Sequence, residues 1–316
     1  MKIYLFAALT AFAFSLALCF LLIPLLKKWK AGQNILVFVK EHKGKSGTPT
    51  MGGLAFVVAT VATAVVFGIK DDKTTLLTLA ISLSFALVGF LDDALKCHRK
   101  ENLGLRAWQK FAFQSLIALC AGIYAWRMQI TQLYLPFWGS TVNIGWGVFP
   151  LTVFAFLATV NAVNLTDGLD GLAAGVSVPF FLFLGVILLL ENTGESSLLC
   201  FALVGALVAY LLFNTPKASV FMGDTGSLAL GGFASCIACF TGNTLYIPVL
   251  GATFVLSAVT VIMQVVYFKI TGGKRIFLMT PVHHHFQQKG YSESKISYAY
   301  ATATAVLGTL CLACIL

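Results

Sequence analysis

Charged side chains are scarce in this sequence of 316 residues: Asp, Glu, Lys and Arg together make up 10% of it, against about 25% in soluble domains. So few charges cannot cover the surface of a water-soluble domain, and a hydrophobic content of 59% excludes a disordered chain. The mean hydropathy is +0.89. The composition therefore predicts an integral membrane protein, and its long apolar runs favour helices over the alternating strands of a β-barrel.

The eight cysteines lack the pattern of a disulfide framework, because all except Cys97 fall inside or at the edge of apolar runs. Two C-x-x-C pairs are present, Cys236 with Cys239 and Cys311 with Cys314. A structural zinc ion needs a full tetrahedral set of thiolates or imidazoles, and thiolates are costly in hydrocarbon. We therefore interpret these cysteines as helix-packing residues.

The apolar runs predict an all-α protein of ten transmembrane helices, forming a single membrane domain of residues 1–316. The first run is longer than the core of a signal peptide and is followed by Lys27 and Lys28, so we expect it to be retained. The ten predicted spans are Ile3–Leu26, Met51–Ile69, Thr74–Leu91, Phe111–Trp126, Gly147–Val160, Leu172–Leu190, Ser196–Phe213, Ser227–Phe240, Thr244–Phe268 and Ile296–Leu316.

Basic residues are distributed unevenly between the two sets of loops that these spans define. Of the 21 Lys and Arg residues, 17 fall in one set, and the other set holds only Lys2, Lys70, Lys73 and Arg127. The positive-inside rule places the basic set in the cytoplasm and both termini on the extracytoplasmic side. Because the net charge of +9 arises from these loops, it does not indicate nucleic acid binding, and we predict no nucleic acid partner.

No predicted span carries a charge near its middle. Coupled transporters usually need ionisable groups or broken helices near the membrane midplane. Eight of the 12 acidic residues lie instead in the loops predicted to be cytoplasmic. This distribution favours an enzyme acting at the cytoplasmic membrane surface over a coupled transporter or a non-catalytic lipid-binding scaffold.

Two of the predicted cytoplasmic segments carry groups suited to phosphate chemistry. The glycines of Gly47–Gly53, G-T-P-T-M-G-G, allow backbone N–H groups to approach a phosphate, although the G-K-[ST] ending of a kinase P-loop is missing. A simple turn before the second helix is the alternative for this segment. Asp92 and Asp93 end the third span, and Lys96 and Lys100 follow at helical spacing. Adjacent carboxylates suit general-base work, and the cations suit a lipid phosphate.

Two further segments supply amide and carboxylate groups. In N-A-V-N-L-T-D-G-L-D-G, Asn161, Asn164, Asp167 and Asp170 recur every three residues, which predicts one polar stripe along a helix for a nucleotide base or a sugar. Helix capping is the alternative, and it would use one of these residues but not all four. In F-M-G-D-T-G-S, Asp224 follows Gly223, which predicts a carboxylate on an open loop. Magnesium binds to few carboxylates together with waters and phosphate oxygens, so this Asp suits it, and an ordinary Asp-Gly turn is the alternative.

The segment T-P-V-H-H-H-F contains three of the five histidines, His283, His284 and His285. Pro281 predicts an extended or loop start, in which consecutive side chains diverge and cannot easily bind one metal ion. Phosphate contacts and proton transfer suit these histidines, and a zinc site or a structural cluster is the alternative. Together the segments indicate magnesium-assisted phosphoryl transfer from a soluble phosphorylated donor to a lipid acceptor.

These segments, from about Lys45 to Gly290, resemble in order those of the polyprenyl-phosphate N-acetylhexosamine-1-phosphate transferases, which are ten-helix bacterial membrane enzymes. The string T-P-V-H-H-H-F is more similar to the branch with a muramoyl-pentapeptide donor than to the branch with an N-acetylglucosamine donor. One departure is the segment N-T-P-K-A after Asn214, where the resemblance implies a proline one residue later.

The resemblance implies transfer of phospho-N-acetylmuramoyl-pentapeptide from UDP-N-acetylmuramoyl-pentapeptide to undecaprenyl phosphate, giving lipid I and UMP in peptidoglycan synthesis. UDP-N-acetylglucosamine is the alternative donor. The resemblance also implies Mg²⁺ as cofactor, a homodimer, and an active site at the cytoplasmic face of the bacterial plasma membrane. In one route Asp92 or Asp93 deprotonates the lipid phosphate for direct attack, and in the other a covalent phospho-aspartate forms. The sequence does not choose between these routes, although we favour direct attack.

The resemblance further implies the roles of individual residues. Asp92, Asp93, Asp224 and His283 are implied to be catalytic, with Asp224 as the Mg²⁺ ligand. Phe221 is implied to stack on the uracil base. The residues implied to bind substrate are Lys45, Lys96, Lys100, Asn164, Asp167, Asp170, Asn214, Phe221, Gln264, His284 and His285.

Overall fold

The computed structural model describes residues 1–29, 47–68, 72–99 and 104–316. Within these ranges the regular structure is almost entirely helical, with one short antiparallel hairpin of β1 (Gln132–Tyr134) and β2 (Thr141–Asn143). The helices are α1 (Lys2–Lys28), α2 (Gly53–Val66), α3 (Lys73–Arg99), α4 (Ala107–Arg127), α5 (Val148–Thr166), α6 (Leu172–Leu190), α7 (Gly194–Asn214), α8 (Gly223–Phe240), α9 (Tyr246–Leu250), α10 (Ala252–Ile270), α11 (Val282–Gln288) and α12 (Glu293–Ile315).

Each of the ten predicted apolar runs overlaps one of the longer helices, and in the part of the chain that the structure describes seven helices are long and apolar enough to cross a membrane. The prediction of an all-helical, multi-pass membrane protein is therefore confirmed. The hairpin and the short helices α9 and α11 were not predicted from the sequence. Segments of three to seven residues carry too little periodicity to be recognised there.

Helix α8 lies at the centre of the bundle, and every residue from Thr225 to Phe240 is buried. It packs against α3 and α5, while α1 packs against α7 and α2. Glycines allow this close packing: a Cβ atom on Gly53 of α2 would overlap Gly226 of α8, and one on Gly205 of α7 would overlap the carbonyl oxygen of Ala8. Small residues at helix crossings let backbones approach where lipid supplies no hydrophobic driving force.

Two opposite ends of the bundle have different characters. At one end, the last turns of α3 and α5 meet the first turns of α4 and α8, and the polar segments gather there. At the other end the hairpin rests on the connection after α8, where the Tyr134 N–H donates to the carbonyl oxygen of Gly242 at 2.9 Å. The candidate site lies at the first end.

Candidate active site

Three carboxylates come together at this end of the bundle. Asp92 and Asp93 lie near the end of α3, and Asp224 lies in the first turn of α8. Each offers an oxygen within 4.8 Å of the others. Like charges this close repel strongly unless cations are present, so the arrangement depends on the basic side chains around it.

Asp224 is contacted by side chains from three other helices, α3, α4 and α5. Its Oδ2 accepts from Lys96 Nζ at 2.9 Å and from Lys110 Nζ at 2.8 Å, and its Oδ1 accepts from Asn164 Nδ2 at 2.8 Å. The prediction of an open loop around this residue is wrong, because α8 starts at Gly223, which has a φ of +72°. The helix N-terminus adds a partial positive charge that stabilises the carboxylate.

Asp92, on α3, contacts one of these two cations. Its Oδ2 lies 2.6 Å from Lys96 Nζ, one turn along the helix, and its Oδ1 accepts from the Leu105 N–H at 2.8 Å. A Cβ atom on Gly104 would come within 2.5 Å of Asp92 Oδ1, so only glycine allows the chain before α4 to pass this carboxylate.

Asp93 points the other way and is completely buried. Its Oδ1 accepts from the Asp224 N–H at 3.2 Å, and its Oδ2 accepts from both the N–H and the hydroxyl of Thr225, at 2.9 and 2.7 Å. Two neighbours in the sequence therefore differ in their contacts: Asp92 contacts Lys96 and the N–H of Leu105, and Asp93 contacts the first turn of α8.

Lys110 is a site residue that the sequence analysis did not select. It lies in the first turns of α4, and its Nζ reaches Asp224 Oδ2 and, at 3.4 Å, Asn164 Oδ1. The only signal in the sequence is its place in a basic cytoplasmic loop, which it shares with many other cations. The predicted substrate-binding residues Lys45 and Lys100 lie outside the described residues.

The predicted polar stripe on α5 is interrupted. The helix ends at Thr166, and the chain turns through Gly171 at a φ of +72°, so Asp167 and Asp170 are not in helical register with Asn164. Asn164 donates to Asp224 and, at 2.8 Å, to Ser227 Oγ. The glycines around Asp170 explain the wrong prediction, because spacing by three defines a stripe only while the helix continues.

Asp167 stands at the C-terminal end of α5 and is partly exposed. Burial, and then the nearby negative charge of Asp224, raise the pKa of the Asp167 carboxyl well above its usual range. These effects favour the protonated form of the carboxyl, which can donate a hydrogen bond to a polar ligand.

Asp170 and Asn214 join segments of the protein to one another. Asp170 Oδ2 accepts from the Ala218 N–H at 3.1 Å, and its own N–H donates to Glu293 of α12 at 3.2 Å. Asn214 is buried, accepts from the Gly171 N–H at 3.2 Å and donates to the Val220 carbonyl at 3.0 Å. These bonds hold the turn after α5 against the segment before α8.

The segment Gly47–Gly53 is paired with the strand-like approach to α8. The N–H of Phe221 donates to the carbonyl oxygen of Pro49 at 2.8 Å, and the N–H of Gly52 donates to the carbonyl oxygen of Phe221 at 2.9 Å. The side chain of Phe221 is half-buried. The glycine-rich segment thus lies beside the residue predicted to stack on a base.

The three histidines lie on α11 and not on an extended segment, because Pro281 occupies the position just before the helix, where proline is tolerated. Helical backbone still directs consecutive side chains apart. His283 is completely buried, and burial together with His284 lowers its pKa to about 3. A Cβ atom on Gly168 would come within 2.5 Å of His283 Nε2 and 2.9 Å of His284 Nε2, so these rings pack on the turn after α5.

Gln264 and His285 hold the segment that leads into α11. Gln264 Oε1 accepts from the N–H groups of Ile276 and Phe277 at 3.1 and 3.0 Å, and His285 Nδ1 accepts from the Leu278 N–H at 3.1 Å. Gln264 also lines a cleft of about 300 Å³. The lining of the cleft combines apolar residues, such as Phe268 and Leu278, with the basic residues Lys269 and Arg275.

The family of the chain follows from its sequence matches. The profile of glycosyl transferase family 4 matches residues 75–242, and phospho-N-acetylmuramoyl-pentapeptide-transferase signature 1 matches residues 45–57. The phospho-N-acetylmuramoyl-pentapeptide-transferase of Clostridium botulinum (strain Alaska E43 / Type E3) is 42% identical over 302 residues, which are 95% of this chain and 93% of the relative. This chain belongs to that transferase family. The family resemblance noted in the sequence is therefore confirmed, and the chain is an enzyme.

Other members of the transferase family match over similar lengths. The relative from Clostridium perfringens (strain SM101 / Type A) is 45% identical over 289 residues, covering 90% of this chain and 88% of its own. The relative from Caldanaerobacter subterraneus subsp. tengcongensis is 42% identical over 302 residues and 95% of each chain. The profile match contains Asp92, Asp93, Asn164 and Asp224, and the signature match contains the whole segment Gly47–Gly53.

The carboxylate cluster fits a metal ion. All of its donors are oxygen atoms, which suits a hard divalent cation better than a soft one. Three carboxylates also exceed the two ammonium groups that contact them, Lys96 and Lys110, so the cluster retains negative charge when all five groups are ionised. The cluster therefore has both the ligands and the charge that a divalent cation requires.

Proposed function

We propose that this chain transfers phospho-N-acetylmuramoyl-pentapeptide from UDP-N-acetylmuramoyl-pentapeptide to undecaprenyl phosphate, releasing UMP and forming lipid I. The observation that carries the proposal is the cluster of Asp92, Asp224, Lys96, Lys110 and Asn164 at one end of a membrane bundle. Acidic and basic groups together at a membrane end suit a reaction between an anionic soluble donor and an anionic lipid. The full-length similarity to phospho-N-acetylmuramoyl-pentapeptide-transferases supports this choice of substrates.

Asp224 would hold Mg²⁺ in this proposal, and the metal would neutralise charge on the donor's pyrophosphate. Lys96 and Lys110 meet at Asp224 Oδ2, so they are placed to bind phosphate oxygens next to that position. Asn164 orients the Asp224 carboxylate through its 2.8 Å hydrogen bond. These residues bring two anionic substrates together in a site that their charges would otherwise oppose.

Asp92 is the carboxylate that we propose as general base. It removes the remaining proton from the lipid phosphate, whose oxygen then forms a bond with the β-phosphorus of the donor. The bond from that phosphorus to the bridging oxygen breaks, and UMP leaves with the electron pair. Lys96, 2.6 Å from Asp92, stabilises the ionised form of the base. Direct attack requires no covalent intermediate on the protein.

The nucleotide and sugar would lie between the turn after α5 and the segment before α8. We assign direct contacts to Asp167 through its carboxyl, to Phe221 by stacking on uracil, and to His284, whose ring packs on the turn after α5. Asp170, Asn214, Gln264, His283 and His285 would shape this pocket through the contacts described above. Substrate binding by Lys45 and Lys100 stays a prediction from the sequence.

We propose the same membrane arrangement that the charges predict: ten spans, both termini on the extracytoplasmic side, and the cluster at the cytoplasmic face of the bacterial plasma membrane. The basic loops adjoin the end of the bundle that holds Asp224, and a cytosolic nucleotide donor requires that side. Dimerisation stays a prediction.

The experiment measures UMP release by purified protein in detergent with undecaprenyl phosphate and Mg²⁺. UDP-N-acetylmuramoyl-pentapeptide and UDP-N-acetylglucosamine are offered separately. We expect release from the muramoyl donor alone, and a loss of about 100-fold or more in Asp224→Asn, because a charged ligand at the reacting phosphates is removed. Asp72→Asn is the matched control, since Asp72 caps the far end of α3 and asparagine also caps helices.

Two other results would change the assignment. Release from the glucosamine donor would place the chain in the branch that uses that substrate. No release from either donor, by protein that elutes as a single folded species, would contradict the proposed reaction and favour the transporter or scaffold alternatives.

A further inference from the structure

We infer that Asp93 is a positioning residue that fixes the first turn of α8, and with it the carboxylate of Asp224, and that Asp93 does not contact the reacting phosphates. The inference rests on the proposed role of Asp224 as metal ligand. It gives different functions to two adjacent aspartates that the sequence presents as equivalent.

The hydrogen bonds of Asp93 are those of a helix cap supplied by another helix. Asp93 accepts from two backbone N–H groups, those of Asp224 and Thr225, and from the Thr225 hydroxyl. The first N–H groups of a helix have no partner within it, so a carboxylate that accepts from them stabilises the helix start. Three donors occupy the two oxygens of this one carboxylate.

The side chain of Asp93 is also enclosed by the residues around it. A Cβ atom on Gly223 would come within 2.5 Å of Asp93 Oδ2 and 2.6 Å of Thr50 Oγ1. One turn earlier on α3, a Cβ atom on Gly89 would overlap the carbonyl oxygen of Asp224. Because the side chain of Asp93 is completely buried, a lipid phosphate has no room to contact it on this face of α3.

The geometry of α3 separates the two aspartates. Consecutive residues of an α-helix point about 100° apart, so the side chains of Asp92 and Asp93 leave α3 in different directions. Asp93 and Gly89 share the face that packs on α8, whereas Asp92 and Lys96 share the face towards the cations. The contact between α3 and α8 thereby sets the position of Asp224 relative to Asp92 and Lys96.

If Asp93 acts through the first turn of α8, its loss weakens metal binding before it weakens chemistry. The test compares Asp93→Asn, Thr225→Val and the double variant with the unchanged protein. Thr225→Val keeps the side-chain shape and removes the hydroxyl donor, and Thr225→Ser is the matched control that keeps it. Mn²⁺ binding is measured by electron paramagnetic resonance without substrates, and UMP release is measured over a range of Mg²⁺ concentrations.

We expect Mn²⁺ affinity to fall about 10-fold in Asp93→Asn and about 3-fold in Thr225→Val, because each loses a hydrogen bond to a charged group. The double variant should resemble Asp93→Asn, since both changes remove the same contact. The apparent KM for Mg²⁺ should rise in parallel, and saturating Mg²⁺ should restore kcat to within about 3-fold.

Two results together would overturn the inference. Asp93→Asn would be inactive at every Mg²⁺ concentration although its Mn²⁺ affinity is unchanged, and Thr225→Val would have the same Mn²⁺ affinity and activity as the unchanged protein. If Asp93→Asn does not fold, the Mn²⁺ affinity of Thr225→Val is the test. An unchanged affinity in that variant would contradict the role of Asp93 in positioning Asp224. If the unchanged protein neither binds Mn²⁺ nor releases UMP, the proposed function itself is wrong, a result distinct from the other two.

Discussion

At the scale of single residues, the site pairs each buried charge with an opposite charge or with backbone donors. Asp224 has two ammonium groups and an amide, Asp92 has Lys96, and Asp93 has the start of α8. Unpaired charges are costly at low dielectric, so removing one partner destabilises those that remain. His283 follows a different rule, since it is buried in the neutral form.

Acidification should destabilise the protein through His283. Its pKa of about 3 in the folded protein lies below the value of about 6.5 expected after unfolding. The unfolded chain therefore takes up the proton first, and the stability contributed by neutral His283 is present above pH 6.5 and lost as the pH falls towards 3. Between pH 7 and 5 this one group should cost about 2 kcal/mol of the free energy of unfolding.

The measurement is the midpoint of thermal unfolding in detergent between pH 5 and 8, for the unchanged protein and for His283→Leu. The leucine variant cannot titrate at this position, so its midpoint should fall less steeply on acidification. The variant His285→Leu controls for the loss of a histidine on the same helix. Equal slopes in the unchanged protein and in His283→Leu would contradict a neutral, buried His283.

At the scale of helices, close crossings at glycine fix how the elements meet. Gly53 against Gly226, Gly89 against Asp224 and Gly205 against Ala8 bring three pairs of helices into backbone contact. In lipid, packing and not water exclusion holds helices together, so an added methyl group at such a crossing forces the helices apart.

The substitution Gly205→Ala should destabilise the contact between α7 and α1, because its Cβ atom would overlap the carbonyl oxygen of Ala8. Gly175→Ala on α6 is the matched control, since a Cβ atom there meets nothing within 4 Å. We expect a loss of about 2 kcal/mol or more for Gly205→Ala and a neutral or slightly favourable effect for Gly175→Ala. Thermal unfolding of both variants in the same detergent tests this, and equal midpoints would refute it.

At the scale of the whole molecule, the polar groups collect at one end of an apolar bundle. Large apolar side chains such as Phe20, Phe154 and Ile262 are exposed along its sides, where lipid replaces water. The basic residues Lys96 and Lys110 lie at the end with Asp224, and the opposite end carries the hairpin. This polarity underlies the proposed orientation.

Cysteine labelling in spheroplasts tests that orientation. We replace Cys97, Cys120 and Cys314, which are not fully buried, by serine, and introduce Ser140→Cys in the hairpin or Lys274→Cys after α10. A membrane-impermeant maleimide should label position 140 in intact spheroplasts and position 274 only after permeabilisation, because basic loops stay in the cytoplasm. Labelling of 274 in intact spheroplasts would reverse the proposed topology.

Features that depend on residues close together in the chain could be predicted from the sequence, and features that depend on distant residues could not. The apolar runs predicted every long helix, because partitioning into lipid and helix formation depend on neighbours along the chain. Helix ends were predicted less well. The stripe through Asp170 failed at Gly171, the loop around Asp224 proved to be the first turn of α8, and the histidines lie on a short helix.

Composition and local pattern were enough to predict a multi-pass helical membrane protein and to locate the segments that carry its polar chemistry. How those polar groups combine depends instead on the packing of distant helices. Lys110 and Asp224 are 114 residues apart and meet because α4 and α8 pack at the same end of the bundle. Asp92 and Asp93 differ because α8 packs on one face of α3 and leaves the other face to the cations. Such contacts depend on how helices cross, which no local pattern records.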